Sequence, residues 1–470
     1  MTRPRFTTLL AATLVGVYLL VVVGATASLA DAVAACGTWP TCSGPVSDPQ
    51  VAVAVGHRIA AVVVGLLGLA TTVVGWSVAT ARVRVALLVA GVGYPLQAGV
   101  GAFVALEGAP STLTGTHLVA GTAIFTTLAL ALAWQLEAET GDPTDAPTGQ
   151  TDRATEPTPD HDADDGPVAP TASVQPTGPL ARVKRVVWAY FQLMKPRLMW
   201  LLCLVASAGM ALAAGPDLRV DTIVLTLLGG VLSIGASGTF NHVLERDIDR
   251  KMERTSDRPL AKHEVPVRNA LAFAAVLTVA SVALFWQVNA LAAALGFVAI
   301  VFYSVVYTLI LKPNTVQNTV IGGAAGALPA LIGWVAVTGT TDGALPGLAL
   351  AAVIFLWTPA HFYNLALAYK DDYARGGFPM MPVVRGETVT RKHIVWYLAA
   401  TLVAATLLTA LTGLGWLYAT ATVVFGGVFL WAVVLLHRER TESAAFRAFH
   451  ASNAYLGALL VAVVLDAVVV

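Results

Sequence analysis

The sequence predicts an all-α polytopic membrane protein that consists of a four-helix transmembrane bundle followed by a nine-helix bundle. Of its 470 residues, 57% are hydrophobic and 12% are charged, whereas a soluble domain contains roughly 25% charged residues. Apolar runs of about 20 residues, long enough to cross a bilayer, recur along most of the chain. Because these runs lack the period-two alternation of barrel strands, helices must satisfy their backbone hydrogen bonds.

The first membrane domain is predicted at residues 1–137. Its four apolar spans lie at about residues 7–30, 52–79, 84–106 and 114–136. Residues 138–180 follow, a segment rich in Asp, Glu, Thr and Pro with almost no large apolar side chain. Such a composition cannot bury enough surface to fold, so we expect a disordered acidic linker there.

The second membrane domain is predicted at residues 181–470. It opens with a basic segment that contains Trp188, which is typical of an interfacial lead-in to a membrane domain. We therefore expect two membrane domains joined by a soluble tether. The nine spans of the second domain lie at about residues 198–214, 222–242, 269–286, 290–311, 317–337, 345–367, 394–412, 415–436 and 451–469.

The orientation of the spans follows from the positive-inside rule. With the N-terminus in the cytoplasm, Arg58 and Arg219 are the two of the 28 Lys and Arg residues that fall on the outer side. The sequence thus predicts a multi-pass protein of the cell membrane whose long loops 243–268 and 368–393 face the cytoplasm.

The first of these loops begins with three oxygen-bearing side chains at helical spacing. Asn241, Glu245 and Asp249 recur at i, i+4 and i+8, so they share one face of a continuous helix. Converging oxygen ligands suit Mg²⁺, which binds one or two carboxylates together with substrate phosphates. A salt-bridged loop that only anchors the topology is the alternative. The cations that would neutralise the phosphates are Arg254, Arg258 and Lys262.

A second polar cluster ends the sixth span of the second domain. Asn364 and Asp371 lie seven residues apart, about two helical turns, and Asp371 stands between Lys370 and Asp372. Two acidic loops at one membrane depth suggest a metal-bridged diphosphate whose lipid tail descends between the helices. Ionisable residues at the mouth of a helix bundle are a functional hypothesis by default.

Longer motifs in these loops resemble a known family. The first loop resembles the Asn-Asp-x-x-Asp-x-x-x-Asp motif of the membrane aromatic prenyltransferase superfamily. Residues 247–260, Asp-Ile-Asp-Arg-Lys-Met-Glu-Arg-Thr-Ser-Asp-Arg-Pro-Leu, narrow the resemblance to the heme O synthase family, which also has nine spans. The resemblance covers about residues 190–470. Further matching segments are Tyr307-Thr308, Ile321 to Trp334, Thr358-Pro-Ala-His361-Phe and Tyr369-Lys-Asp-Asp-Tyr373.

That family transfers a farnesyl group from farnesyl diphosphate to a vinyl group of heme B, with hydration, in a Mg²⁺-dependent reaction that yields heme O and diphosphate. The resemblance therefore implies heme B and farnesyl diphosphate as substrates, membrane lipid as surroundings and no nucleic-acid partner. The Mg²⁺ ligands that it implies are Asn241, Glu245, Asp249 and Asp371. The catalytic and diphosphate-binding residues that it implies are Asn241, Asp249, Arg254, Arg258, Lys312, Lys370, Asp371 and Asp372.

Three further residues either belong to this predicted site or depart from the family pattern. His361, near the membrane surface, is expected either to contact the porphyrin or a propionate, or to be a structural histidine. The family usually has Asp where this chain has Glu245, which reaches one methylene further. The wider superfamily usually has Asp where this chain has His242.

Two histidines of the first domain lie at matching positions. His57 and His117 begin the second and fourth spans, which run in the same direction, so both imidazoles are predicted near the outer face. Paired histidines on facing helices of a four-helix bundle commonly bind heme, while lone intramembrane histidines are more often structural. Cys36 and Cys42 flank a short outer loop where a disulfide is permitted, and two unlinked thiols are the alternative.

Residues 7–137 also resemble one half of heme A synthase. By this resemblance His57 and His117 are axial heme ligands, and Cys36 and Cys42 are an outer redox or disulfide pair. That family has a Glu three residues before its first His, where this chain has Ala54, and the second half-bundle is missing. We therefore expect that the domain does not oxidise heme O by itself. Instead it is expected to bind heme or to transfer heme to the second domain, to a heme A synthase or to a terminal oxidase assembly. The matching residues are Cys36-Gly-Thr-Trp-Pro-Thr-Cys42, His57-Arg58, Gln97-Ala-Gly99 and His117-Leu118.

Three other functions compete with this interpretation. A prenyltransferase for a quinone precursor or a glycerol phosphate lipid shares the metal loops, but the Met252 to Thr255 and Asp371 to Tyr373 details argue against it. A non-catalytic heme carrier would bind heme without prenyl transfer. A transporter is disfavoured because the charges cluster at one face rather than at the midplane.

Overall fold

In the computed structural model, the described residues are 3–29, 32, 35–107, 110–141, 145 and 178–469. Within these residues every regular element is a helix, and thirteen helices are long and apolar enough to cross a membrane. The prediction of an all-α membrane protein with four plus nine spans is confirmed. Most of the predicted linker, residues 146–177, lies outside the described residues.

The first domain is a bundle in which each helix packs against two neighbours. Its helices are α1 (Arg3–Leu29), α2 (Pro49–Gly75), α3 (Ala81–Leu106) and α4 (Ser111–Thr140). Both α1 and α3 contact α2 and α4, so α2 and α4 lie diagonally across the bundle. Asp48 caps α2 by accepting a hydrogen bond from the Gln50 amide.

The second domain begins with an amphipathic helix and continues with the nine spans. One span is composite, because α9 continues through a π-helical segment, Phe302–Leu311, into α10. The helices are α5 (Pro179–Leu193), α6 (Pro196–Ala214), α7 (Val220–Asp249), α8 (Val267–Val288), α9 (Ala290–Val301), α10 (Lys312–Asn314), α11 (Asn318–Thr338), α12 (Leu345–Ala368), α13 (Lys370–Arg375), α14 (Met381–Arg385), α15 (Glu387–Thr412), α16 (Trp416–Glu439) and α17 (Glu442–Val469).

Two helices begin earlier than the apolar pattern predicts. The expected starts are near residues 394 and 451, whereas α15 begins at Glu387 and α17 at Glu442. Charged residues such as Arg391 and Arg447 interrupt the apolar run in these first turns without interrupting the helix. The predicted loop 368–393 therefore contains α13, α14 and the first turns of α15.

Helices α6 and α11 pack backbone against backbone. A Cβ added at Gly209 would lie 2.3 Å from the Ala330 carbonyl oxygen, and one at Gly333 would lie 2.1 Å from the Ala206 carbonyl oxygen. Small residues permit such close approach between membrane helices. This contact fixes α6, whose first turn enters the site described below.

The two membrane domains pack against each other, whereas the sequence predicts only a tether between them. Helices α1 and α4 contact α15 and α16, and buried side chains from Phe6 to Val463 form one continuous cluster. Across this interface the Tyr18 hydroxyl donates to the Leu402 carbonyl at 3.2 Å. Arg438 near the end of α16 donates to the Thr8 hydroxyl near the start of α1 at 2.8 Å, so these two helix ends lie at the same end of the molecule.

Candidate active site at the mouth of the nine-helix bundle

The last turns of α7 carry three buried, oxygen-bearing side chains on one face. Asn241, Glu245 and Asp249 are 2%, 4% and 3% exposed, and α7 stays helical through Asp249. Burial of two carboxylates costs free energy unless cations or hydrogen bonds replace the lost water. Their partners come from three other segments of the chain.

Each carboxylate on this face is paired with a cation. Lys312, directly after the π-helical segment, lies 2.6 Å from Glu245, and Arg258 lies 2.8 Å from both oxygens of Asp249. The Lys312 and Arg258 side chains are 13% and 22% exposed, so salt screens these pairs less than it screens surface pairs. The structure thus brings together four of the residues that the sequence singles out.

Lys195 is a site residue that the sequence interpretation missed. Its ammonium group donates to the Asn241 side-chain oxygen and to the Tyr303 hydroxyl at 3.2 Å. Burial, reinforced by the nearby Arg258 charge, lowers the pKa of Lys195 to about 7. A lysine directly before Pro196, at the start of an apolar span, was the available signal. Its φ of 56° lies in the left-handed region that non-glycine residues seldom adopt.

The π-helical segment supplies the other contacts to α7. Asn241 donates from its side-chain amide to the Thr308 hydroxyl at 3.1 Å, and Thr308 donates to the Tyr303 carbonyl at 2.9 Å. In π-helical geometry, residues five apart are hydrogen-bonded neighbours, and such turns are frequent at functional sites. Tyr303 and Thr308 therefore both face α7.

Asp372 joins the two loops. It is 5% exposed, and its carboxylate accepts hydrogen bonds from the backbone amides of Glu253 at 2.7 Å and Arg254 at 3.2 Å. The Arg375 guanidinium lies 2.9 Å from the same carboxylate. Asp372 thus holds the backbone of the first loop in place.

Lys370 and Asp371 lie on the open side of the second loop. Asp371 is exposed, and Lys370 pairs with Glu387 at 3.1 Å. Asn364, expected on the same face as Asp371, is fully buried instead. The two residues do not share a face because α12 ends at Ala368 and the chain turns before Asp371. A polar cleft of about 390 Å³ lies beside this loop, and its charged lining includes Arg254, Lys370, Asp371, Glu387, Arg391 and Arg440.

Arg254 lies against two tyrosine rings. Its guanidinium carbon is 5.2 Å from the Tyr369 ring centroid and 5.7 Å from that of Tyr373, within the range of cation–π attraction. Burial raises the pKa of Tyr373, and the Arg254 charge partly opposes this effect. Lys262 is not brought to the site, since it pairs with the exposed Asp257 at 2.5 Å.

An apolar groove leads from the polar mouth into the bundle. Lys195 and Tyr303 line its polar end. A groove with a cation at one end and hydrocarbon along its length is complementary to a ligand with an anionic head and an apolar tail. The apolar side chains that line it include Leu198, Leu202, Leu227, Ile234, Phe285 and Ile332.

The predicted Mg²⁺ ligands are only partly assembled. Asn241, Glu245 and Asp249 share one face, but Asp371 stands apart on the second loop. Among the described residues, no group of three or more His, Cys, Asp or Glu side chains is placed to hold a metal ion. The donor chemistry still fits Mg²⁺ with a diphosphate, because amide and carboxylate oxygens suit the ion and their present cationic partners suit phosphates.

His361 is enclosed by its neighbours. Its ring stacks between Trp357 and Phe449, with centroids 4.3 Å from each, and its Nδ1 lies 2.6 Å from the Ser452 hydroxyl. The residue is buried, so a porphyrin could reach it only if these aromatic side chains moved. Of the two alternatives for His361, this arrangement favours a structural histidine.

The first domain holds a separate polar pair, His57 and His117. The two residues lie about two turns after the starts of α2 and α4, and hence at similar depth. Their Nδ1 atoms are buried without a hydrogen-bond partner among the described residues. Glycines on neighbouring helices make room for the rings, since a Cβ at Gly24 would lie 3.2 Å from His57 and one at Gly101 would lie 2.8 Å from His117.

The loop between α1 and α2 is fastened over the same end of this bundle. Cys36 and Cys42 form a disulfide, the first of the two alternatives for these cysteines. Arg58, next to His57 in the chain, forms hydrogen bonds to this loop. Its guanidinium donates to the carbonyls of Thr38, Pro40 and Thr41 at 2.9, 3.1 and 2.9 Å.

Comparison with known proteins places these sites in context. The model of the UbiA prenyltransferase family matches residues 201–457. The chain is 64% identical over 470 residues to the protoheme IX farnesyltransferase of Haloarcula marismortui, covering 98% of each chain. It is 65% identical over 466 residues to protoheme IX farnesyltransferase 1 of Natronomonas pharaonis, covering 99% of each chain.

A solved structure is similar in fold to a large part of this chain. It is described as digeranylgeranylglyceryl phosphate synthase in membranes and matches with a TM-score of 0.51 at 16% identity, covering 62% of this chain and 99% of its own. That likeness concerns the fold alone. The family model, in contrast, matches more than half of the chain, and the two relatives match nearly all of it. The chain therefore belongs to the UbiA prenyltransferase family.

Proposed function

We infer that the protein transfers a farnesyl group from farnesyl diphosphate to a vinyl group of heme B, which yields heme O and diphosphate. The relatives that match nearly the whole chain are named for this activity. The observation that carries the inference is the buried face of α7, where oxygen ligands meet cations at the mouth of an apolar groove.

The cations of the site bind the diphosphate in this proposal. Lys195, Lys312 and Arg258 each give up an amide or carboxylate partner on α7 in favour of phosphate oxygens. Arg254 from the first loop and Lys370 from the second loop approach the diphosphate. Arginine and lysine are both suited to this contact, and arginine adds paired, parallel hydrogen bonds.

The acidic side chains take the remaining roles. Asn241, Glu245 and Asp249 would hold Mg²⁺, and Asp371 would contribute from the second loop. The ion supplies positive charge where negative charge develops on the leaving diphosphate. Asp372 keeps the first loop in position by accepting hydrogen bonds from the backbone amides of Glu253 and Arg254.

The reaction breaks the bond between the first farnesyl carbon and a diphosphate oxygen, and both electrons leave with the diphosphate. The terminal vinyl carbon of heme B attacks the allylic cation, after which water adds to the adjacent carbon and loses a proton. The protein contributes donors aimed at the departing diphosphate. The apolar groove keeps water away from the cation until the vinyl group has reacted.

A product assay separates this activity from its rivals. Membranes that contain the full chain receive farnesyl diphosphate and Mg²⁺ with either heme B or 4-hydroxybenzoate, and the extracts are analysed by mass. We expect a farnesyl-hydroxyethyl heme and no prenylated benzoate. Prenylated benzoate instead would support a quinone-precursor enzyme. Unmodified heme alone would support a heme carrier, and the transferase assignment would be withdrawn.

We also propose that the site loops and the N-terminus face the cytoplasm. This orientation leaves two of the 28 Lys and Arg residues on the outer side. A single cysteine at Asp247 is expected to resist a membrane-impermeant thiol reagent in whole cells, and one at Asp342 is expected to react. The reverse pattern would overturn the orientation. Cys203→Ser serves as the background because Cys203 is the free cysteine of the structure.

For the first domain we propose that His57 and His117 bind heme. The buried ring nitrogens without partners support this assignment, since imidazole nitrogens are common heme ligands. A heme held there would be available to the transferase site or to a heme A synthase or terminal oxidase assembly.

Absorption spectra of the purified full chain test the heme proposal. His57→Ala and His117→Ala are expected to lose the retained heme, while the exposed His263→Ala control keeps it. Farnesyl transfer to added heme B should continue in all three variants. Wild-type heme content and spectra in both His57 and His117 variants would contradict the proposal.

A further inference from the structure

Asp145, which follows the first domain in the chain, caps a helix of the second domain. Its carboxylate accepts hydrogen bonds from the backbone amides of Glu387 at 2.9 Å and Thr388 at 2.6 Å. These are the first amides of α15, which have no acceptor within the helix. Gly386 has a φ of 82° and lies so close that a Cβ there would be 2.5 Å from the Asp145 carboxylate. The contact therefore depends on glycine at that position.

Glu387 passes this contact on to the second loop. One of its side-chain oxygens lies 3.1 Å from Lys370, and the other lies 3.2 Å from Arg391. Both cations line the polar cleft. The first residue of α15 is thus held by Asp145 through its backbone, and its side chain holds the lysine that we assign to the diphosphate.

A second contact joins the first domain to the same helix, α15. Glu137, near the end of α4, pairs with Lys392 at 2.5 Å. Both side chains are partly exposed, at 31% and 18%, so this pair alone contributes little to stability. Together with the apolar contact between α4 and α15, it places the first domain directly beside the capped turn.

We propose that Asp145, in the segment that follows the first domain, is a positioning residue for farnesyl diphosphate that sets the place of Lys370. The proposal rests on the proposed function, because that function assigns Lys370 to the diphosphate. Without the cap, the first turn of α15 frays and Glu387 no longer holds Lys370 at the cleft. The segment between the two domains thereby takes part in the transferase site whether or not the first domain carries heme.

The test measures binding of farnesyl diphosphate with Mg²⁺ to the purified full chain in detergent, with no heme added. We expect Asp145→Ala to weaken binding about threefold to tenfold, in line with the loss of one helix cap. Asp145→Asn should weaken binding less than Asp145→Ala does, because the Asn side chain keeps one of the two acceptor oxygens that cap Glu387 and Thr388. Asp342→Ala, an exposed acid at the other end of the bundle, is the matched control and should bind normally.

A double variant tests whether Asp145 affects the binding of farnesyl diphosphate through Glu387. Glu387→Gln alone should weaken binding by a similar factor, and adding Asp145→Ala should weaken it no further, since coupled positions are not additive. Full additivity, or wild-type binding by Asp145→Ala, would overturn the proposal. If Asp145→Ala yields no folded protein, wild-type binding by Glu387→Gln would overturn it. Absence of binding by the wild type would instead remove the proposed function, and this proposal with it.

Discussion

The two acidic loops over the bundle mouth use the same residue types in different ways. In the first loop, Glu245 and Asp249 extend from one continuous helix, and each is paired with a cation. In the second loop the helix α12 ends at Ala368, so Asn364 and Asp371 do not share a face. Asp371 is exposed, while Asp372 is buried against the backbone of the first loop.

This difference separates groups that are available to a substrate from groups that hold the scaffold. A metal ion can replace the cationic partners of Glu245 and Asp249, and a diphosphate can then bind the cations that are released. The partners of Asp372 include backbone amides, which need an acceptor when they are buried and cannot withdraw without rearranging the loop. We therefore assign ligand roles to the first pair and a positioning role to Asp372.

The largest effect is expected at Asp249. Asp249→Asn removes the charge proposed to hold Mg²⁺ and leaves Arg258 without its ion-pair partner, so farnesyl transfer should fall by about 10²–10³-fold, as for loss of other groups that stabilise transition-state charge. Product formation from heme B and farnesyl diphosphate, measured by mass, gives the rate.

Asp247 provides a matched control two residues away. Its side chain is 66% exposed and pairs with Arg246 and Arg250 at 3.4 Å. Asp247→Asn should retain nearly full activity, because exposed pairs of this kind contribute about 0–1 kcal/mol. Equal losses in both variants would mean that the loop responds to net charge rather than to a specific ligand.

The contrast between the loops also shows how far the sequence alone reaches. Spacing along one helix predicted the shared face of Asn241, Glu245 and Asp249, because a continuous helix has a fixed period. The same rule was wrong for Asn364 and Asp371, since the helix ends between them. Hydrophobic periodicity does not indicate where a helix ends when its sequence changes from apolar to polar.

Contacts that depend on tertiary packing were beyond the sequence for another reason. Lys195 precedes the first span of the second domain. Its hydrogen bond to Asn241 depends on how α6 packs beside α7. The contact between α4 and α15 joins segments about 250 residues apart, which no local pattern encodes. Span number was predictable because it depends on composition alone, whereas these pairings depend on three-dimensional packing.

The second loop offers the next test, a comparison of Asp372→Asn with Asp371→Asn. Asp372→Asn removes a buried acceptor of charge-assisted hydrogen bonds, each worth about 1.5–3 kcal/mol, so the melting temperature and the rate should both fall. Asp371→Asn should raise the KM for farnesyl diphosphate about tenfold at an unchanged melting temperature. An unchanged melting temperature for Asp372→Asn would contradict its positioning role.

Lys195 should give a smaller effect than the acids. Lys195→Met keeps the length of the side chain but removes the donor to Asn241 and Tyr303, so affinity for farnesyl diphosphate should fall about fivefold to tenfold, the size expected for one hydrogen bond. Arg197→Met, an exposed cation two residues on, should leave affinity unchanged. Equal effects of both substitutions would indicate a general attraction by the basic surface instead.

The smallest effect is expected at His361. His361→Phe keeps the stacking with Trp357 and Phe449, and Ser452 retains its hydrogen bond to the Phe449 carbonyl at 2.7 Å, so no buried hydroxyl loses every partner. The KM for heme B should stay within about twofold, because a residue that does not touch the substrate leaves KM unchanged. A tenfold rise in that KM, with KM for farnesyl diphosphate unchanged, would instead place His361 against the porphyrin and require the aromatic side chains around it to move.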